Sequence, residues 1–544
     1  MHSAGAYRTL VERGLEAMRA GRSAEAEAAF TRVVSVNPKE HRAWHLLAVI
    51  ALHAARPAEA VERAQTALRH DRRNPAYWNT LGVAATECGM FEDAIGHFRR
   101  ALREKPAFVD ASYNLGKTLV KLGDLKGARD AYRRALAFDA RHPGLRKNLA
   151  WVLGELGALD ESIALLEQAA AESPDDERLL VDLAYAYRER SGPDAALAWY
   201  RAAIERLPAG AVLRYGLARL LLARGDWRGG WTEYLWRDLV PRARPPDKGG
   251  GPSGPGDSGS LPEWASLPRD LSGRRIRLVW EQGLGDVLFF VRFAPELKRR
   301  GASLALECQP KLVALLKRSP LFDEVRPFDG PESGAPADEM RVFLGDLPAL
   351  LGAETTPPAL PLAADRERVA RSRELLARHG PPPFIGITWR AGTDPREPEF
   401  GRRLDSLSKE IDPDRLAAAL DGVPGTVVVL QRHPRPEELE RLTKRLGRSP
   451  VDRSALNDDL EEMVALLAAL DEHVGVSSTN MHLAAGAGET ARVLVPYPPE
   501  WRWMEEGDES PWFPGFEVYR QSIQRSWDEA LARLRSDLLG GGRT

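Results

Sequence analysis

The sequence predicts an α solenoid followed by a region of two α/β halves. A helix-pair pattern repeats every 34 residues from Tyr7 to about Pro241, a segment rich in proline, glycine and serine comes next, and β-rich runs then alternate with helical ones from Arg274 onward. With repeat starts at residues 7, 41, 75, 109, 143, 177 and 211, the eighth position is always small: Gly14, Ala48, Gly82, Gly116, Ala150, Ala184 and Ala218. The twentieth is small as well, as at Ala26, Ala94 and Ala128, while the twenty-fourth is mostly large, as at Phe30, Phe98, Tyr132, Tyr200 and Tyr234. Small residues let two helices approach, and the large one fills the space between neighbours. Pro38, Pro106, Pro174 and Pro208 close several units, where a residue without an N–H cannot extend the helix.

A period of 34 with small and aromatic residues at these offsets resembles the tetratricopeptide repeat, a stack of helix pairs that offers an extended surface to a polypeptide. The seventh unit departs from the pattern in its second helix, where Trp227, Gly229, Gly230, Trp231, Tyr234 and Trp236 cluster. The last unit of a solenoid must cover its apolar face, so these rings either cap the stack or dock the next domain. Residues 241–260 bury no core by composition and read as a linker, leaving the array free unless the aromatic cap restrains it. The expected organisation is a repeat array over 1–240, this linker, one α/β half over 261–378 and a second over 379–544 with a closing C-terminal helix.

Composition narrows the function classes. The 76 basic and 78 acidic residues leave a net charge of −2, which gives no field for a nucleic acid or an anionic membrane. Only Cys88 and Cys308 are present, far apart, so neither a disulfide framework nor a metal-ligating cluster is expected. The first residues lack an apolar signal core, and no run approaches the roughly 18 apolar residues that span a bilayer. A cytoplasmic protein without membrane spans is the expectation.

In the α/β region, strands are expected at Ile276–Trp280, Ser303–Glu307, Glu324–Phe328 and Arg341–Leu344 in the first half. In the second half they fall at Phe384–Trp389, Thr426–Gln431, His473–Val476 and Arg492–Val495. Helices are expected at Val287–Arg300, Lys311–Arg318, Arg366–His379, Asp414–Leu420, Pro436–Leu446 and Asp459–Leu470. Such alternation argues for parallel sheets, which take ligands at the carboxyl ends of their strands.

Three strand ends carry candidate chemistry. Glu281-Gln282-Gly283-Leu284-Gly285-Asp286 comes directly after the first strand; its glycines admit close backbone approach, and Asp286 either takes a proton from an acceptor hydroxyl or caps the helix. Ser477-Ser478-Thr479-Asn480-Met481-His482 leads from a strand into a helix, whose free N–H groups and positive dipole end suit a diphosphate. An ordinary polar cap and a structural histidine are the competing reading. Phe384–Trp389 leads into Trp389-Arg390-Ala391-Gly392-Thr393 and a polar stretch to Arg403, where Trp389 can pack at a cleft floor and the planar fork of Arg390 can reach a phosphate, a solvated loop with incidental arginines being the competing reading. Asp412-Pro413-Asp414 has the spacing of a metal-binding D-x-D but opens a helix, where aspartate and then proline is capping chemistry, so no metal is assigned.

The C-terminal 280 or so residues resemble the heptosyltransferase-like glycosyltransferases, on Gly283-Leu284-Gly285-Asp286 and on Met481-His482-Leu483-Ala484-Ala485 within a strand-to-helix turn. The whole chain is similar to bacterial proteins that join tetratricopeptide repeats to such a domain and carry segments like Pro498-Pro499-Glu500-Trp501-Arg502-Trp503 and Ser510-Pro511-Trp512-Phe513-Pro514. The resemblance implies a GT-B fold of two Rossmann-like halves and a metal-independent, inverting transfer of a hexosyl or heptosyl group. It implies Asp286 as general base, and a nucleotide-diphosphate sugar as donor substrate without a resident cofactor. Gly283, Gly285, Trp389, Arg390, Gln431, Ser477, Ser478, Thr479, Asn480, Met481 and His482 would surround that donor, and the acceptor would be a polypeptide held by the repeats. The family's donor turn usually opens with aspartate and continues with glycine and proline, where this chain has Ser477, Thr479 and Asn480. Those departures support a second reading, a non-catalytic interaction scaffold with an altered transferase-like domain.

Overall fold

The computed structural model describes residues 2–142, 144–239, 267–328, 339–391 and 409–540. The expected linker lies outside them. Contacts divide the chain into two compact units, one ending at Arg190 and one beginning at Ser191.

The first unit is an array of paired helices from His2–Arg19 to Glu177–Ser191, most of them 13 to 15 residues long. The small and large offsets meet within a repeat. A Cβ on Gly82 would lie 2.6 Å from the Phe98 ring, and one on Gly116 would lie 2.5 Å from the Tyr132 ring. The aromatic ring of the second helix therefore occupies the space that glycine leaves on the first. Polar contacts link first helices of successive repeats: His41 Nδ1 to the Tyr77 hydroxyl at 2.8 Å, His45 Nε2 to the Thr80 hydroxyl at 2.9 Å, Asn114 to Asn79 at 3.2 Å and Asn148 to the Tyr113 hydroxyl at 3.3 Å.

The second unit contains the helices Pro193–Arg206, Ala211–Ala223 and Trp227–Tyr234, a 3₁₀ turn at Leu235–Leu239, and the α/β region. Among the described residues, ten strands form two parallel sheets. Strands β1 (Arg275–Val279), β2 (Ser303–Cys308), β3 (Glu324–Pro327) and β4 (Glu339–Phe343) are ordered 3-2-1-4. The other sheet contains β5 (Phe384–Thr388), β6 (Thr426–Val429), β7 (Val451–Asp452), β8 (Glu472–Val476), β9 (Arg492–Val495) and β10 (Glu517–Arg520), in the order 10-9-8-5-6-7. This is the layout of a doubly wound dinucleotide-type sheet, with the first strand at the centre and the chain winding outward to both sides. The order reverses beside β1 and β4 in one sheet and beside β5 and β8 in the other. Sheets of this kind ordinarily take ligands at those carboxyl ends.

The aromatic cluster of the seventh repeat docks instead of standing free. Trp231 is buried with its ring 5.3 Å from Trp501, 5.8 Å from Trp512 and 6.0 Å from Phe293, centroid to centroid, and Tyr234 lies 5.9 Å from Phe290. Ala218, Leu222, Trp231 and Tyr234 share one apolar core with strand residues Ile276 and Leu278. Of the two roles that the sequence left open for these rings, docking is the one seen. Strands β7 and β10 were not among those expected, and the long helix expected over Val287–Arg300 is broken into Leu284–Phe290, a 3₁₀ turn and Ala294–Arg299. The expected closing helix is Asp528–Leu539.

Candidate active site at the strand ends

The turn after β1 makes Gly283 the N-cap of the helix Leu284–Phe290 and puts Asp286 in its first turn. One carboxylate oxygen of Asp286 accepts the Gly283 N–H at 3.0 Å, the cap that its sequence position allowed. The other oxygen pairs with the Arg502 guanidinium at 2.5 Å. Asp286 keeps about a quarter of its side chain exposed, at 27 %, whereas that of Arg502 is 8 % exposed. Gly285 is a point of close approach between the two halves, since a Cβ there would lie 3.1 Å from Cδ2 of His482.

The second turn comes after β8. Ser478 is the N-cap of the helix Thr479–Ala487, and its hydroxyl is buried with no protein partner. The first N–H groups of any helix have no acceptor within it, so this end presents donors to the crevice between β5 and β8. Ser477 donates its hydroxyl to Glu500 at 3.0 Å, and the Asn480 amide reaches the Leu430 carbonyl at 3.5 Å. Met481 is fully buried in the apolar core, which makes it a packing residue. His482 lies edge-on to Phe513 and Phe289, with Nδ1 buried and unpartnered. Burial first, and then the nearby Arg502 and Arg292, hold its imidazole neutral.

Glu500 and Arg502, part of one of the family-like segments in the sequence, join the two turns. Glu500 accepts from Lys409 at 2.5 Å and from Ser477, and it pairs with Arg502, which in turn pairs with Asp286. The result is a continuous chain Asp286–Arg502–Glu500–Ser477. Burial alone would raise the Glu500 carboxyl, but Lys409 and Arg502 outweigh it and hold it well below the usual carboxylate range. Burial would lower the Arg502 guanidinium, and Asp286 with Glu500 reverses that. The guanidinium also stacks over Trp501 and Phe289 at 4.4 and 4.6 Å. A local signal existed: two opposite charges set among tryptophans in Glu500-Trp501-Arg502-Trp503 are candidates for buried, paired groups.

The third strand end corrects two expectations. Trp389 is wholly buried, packed with Ile385, Ile387 and Leu416, and lines no cleft floor. Arg390 points at the helix Pro436–Leu446, where it pairs with Glu438 at 3.1 Å and donates to the His433 carbonyl at 3.3 Å. Nη2 is engaged by that carboxylate and carbonyl while Nε is buried without a partner, so the side chain is set against this helix and the phosphate role expected of it gains no support. Gln431 is a brace: its side-chain oxygen accepts the backbone N–H groups of Trp389 and Arg390 at 3.1 and 2.8 Å. Thr393 and the polar stretch to Arg403 lie outside the described residues. Asp412 and Asp414 both bind Arg441 at 2.7 Å, and Asp412 caps its helix. Among the described residues no cluster of three or more His, Cys, Asp or Glu is arranged to hold a metal, and no helix is long and apolar enough to cross a membrane.

Beyond β6 and β7 a cavity of about 390 Å³ opens, lined by His433, Pro434, Pro436, Asp452, Asn457 and Asp458 among others. His433 sits there in the left-handed backbone region, at φ 47°, which is uncommon for a residue with a side chain.

Comparison with known proteins agrees with the repeat reading. Residues 11–75, 54–107, 89–145, 113–177 and 147–211 match the tetratricopeptide repeat family model. The N-terminal array is a tetratricopeptide array. A curated relative, Protein FlbA of Caulobacter vibrioides (strain ATCC 19089 / CIP 103742 / CB 15), is 26% identical over 415 residues, which is 69% of this chain. The match spans 64% of that relative's length. Among solved structures, a glycosyl transferase family 9 protein from Veillonella parvula DSM 2008 matches with 13% identity, covering 50% of this chain and 98% of its own, at a TM-score of 0.39. A tetratricopeptide repeat protein from Parabacteroides merdae ATCC 43184 matches with 20% identity over 42% of this chain and 91% of its own, at a TM-score of 0.35.

Proposed function

We propose that the chain is a metal-independent, inverting glycosyltransferase that moves a sugar from a nucleotide-diphosphate donor to a polypeptide held by its repeats. The observation that carries this reading is the pairing of two strand ends. A helix N-terminus with an unpartnered hydroxyl stands at the switch point of one sheet, and a partly exposed carboxylate from the other sheet is tied to it through Arg502 and Glu500. In this scheme the diphosphate sits on the N–H groups at Ser478–Asn480, and the nucleoside extends into the cavity beside His433 and Asp452. Asp286 takes the proton of the acceptor hydroxyl as the anomeric carbon is attacked. Lys409 and Arg502 replace Arg390 as the cations near the leaving diphosphate. The polar rungs between first helices, Asn79 with Asn114 above all, support a polypeptide partner for the array. The expected domain bounds of 240, 260 and 378 belong to the same proposal, as does a cytoplasmic location.

A second reading, the non-catalytic scaffold, draws on one fact: both oxygens of Asp286 are already engaged, by Gly283 and Arg502. Nucleoside-diphosphate binding tests the donor site itself. Asn480→Asp adds a negative charge to the first turn of that helix, against the dipole and the phosphates. Calorimetric titration with UDP, GDP, ADP and CDP should show the diphosphate that the wild type binds held about 10-fold or more weakly by the variant. Equal affinity would move the diphosphate away from this turn.

A further inference from the structure

Arg237 closes the seventh repeat, inside the 3₁₀ turn Leu235–Leu239, and is 1 % exposed. Its guanidinium pairs with Glu281 at 2.5 Å and with Asp346 at 2.8 Å. Glu281 stands two residues beyond β1 and Asp346 three beyond β4, the adjacent strands at which the order of the first sheet reverses. The crevice that such a sheet ordinarily offers to a ligand is thus filled by an arginine from the repeats. Glu281 also accepts the Gly345 N–H at 3.0 Å, and a Cβ on Gly345 would come within 2.6 Å of the Arg237 guanidinium. Glycine is required there for the arginine to enter. One turn earlier, the Tyr234 hydroxyl lies 3.3 Å from the Gln282 side-chain amide, and the Arg237 guanidinium stacks over the Tyr234 ring at 4.9 Å.

We propose that Arg237 is a positioning residue of the transferase site, clamping the turn Glu281–Asp286 so that the seventh repeat is a working part of the enzyme. This rests on the reading of Asp286 as the base. Glu281 and Gln282 immediately precede Gly283-Leu284-Gly285-Asp286, so the repeat holds the two residues from which the base-bearing turn departs. Without the guanidinium, Glu281 and Asp346 are left as partly buried like charges that have lost their shared partner, and the start of the turn must move. A displacement of about 1 Å at a reacting group is enough to cost about 10²-fold in rate. Donor binding, on the opposite sheet, has no such dependence.

The test uses the full chain with Arg237→Gln, Arg237→Lys and Tyr234→Phe, the last two being milder changes that remain readable if the first fails to fold. Hydrogen exchange of the amides in 281–290 is measured beside kcat and KM for the best donor. Arg237→Gln should exchange there about 10-fold faster and lose about 10²-fold in kcat, with donor KM within about twofold of wild type. Arg237→Lys and Tyr234→Phe should fall between. Folded variants with wild-type exchange over 281–290 and wild-type kcat overturn the clamp. If the wild type transfers from no donor, the transferase reading fails while the exchange data still decide whether Arg237 holds this turn.

Discussion

Replacing Asp286 with asparagine is expected to lower sugar transfer by about 10²–10⁴-fold, the usual share of general-base catalysis, while the fold and the donor affinity persist. The amide oxygen of asparagine still accepts the Gly283 N–H, so the helix keeps its cap. What disappears is the ability to take a proton, together with the charge that faces Arg502. Asp286 as found is a carboxylate held between a backbone N–H and a guanidinium. Activity assays on the asparagine variant, with donor binding measured in parallel, separate the two roles. A folded, donor-binding variant with wild-type turnover would leave Asp286 as a cap alone.

Arg502→Met is expected to have the largest effect on stability. It removes the central cation of a buried chain and leaves Glu500 and Asp286 without their shared partner, a class of change that costs about 3–5 kcal/mol. Lys409 remains on Glu500 and keeps the loss toward the lower end. Urea unfolding of the variant reads the cost directly, and a midpoint equal to wild type would show that the chain contributes little. The pH dependence has a definite sign. Glu500 is held well below its unfolded value of about 4.3, so its contribution is fully present above that pH and is lost as the pH falls below it. The wild type should therefore destabilise steeply on acidification below about pH 4, and Arg502→Met should show a shallower slope there.

The repeat array was legible because its period is sequence-local: a small eighth position meets a large twenty-fourth inside one unit, as Gly14 meets Phe30, Gly82 meets Phe98 and Gly116 meets Tyr132. The same holds for the strand ends. Gly283–Asp286 and Ser477–His482 each lie between an apolar run and a helix, and the fold puts both at switch points. Missed elements had little local signal. β7 has two residues, and β10, Glu517–Arg520, places two charged residues about its buried pair. Arg237, Arg390 and Arg502 reach carboxylates 44 to 216 positions away, which no local pattern encodes, whereas the pairing of Glu500 with Arg502 spans two residues and had a local signal. Arg390 looked available for phosphate because nothing nearby in sequence announced Glu438. The altered residue Ser477 is set against Glu500, so a carboxylate stands beside the turn although none leads it.

The most direct measurement is donor turnover by the purified full-length protein. It is incubated with a panel of UDP-, GDP-, ADP- and CDP-linked sugars and candidate polypeptides recovered on the repeat array, and both released nucleotide and the mass of the polypeptide are followed. A glycosyltransferase of the kind proposed releases nucleoside diphosphate from at least one donor and adds one sugar mass to a bound polypeptide, and both signals fall together in Asp286→Asn. A folded wild-type protein that captures the polypeptide, yet releases no nucleotide from any donor and adds no mass, would contradict it and leave the interaction scaffold in its place.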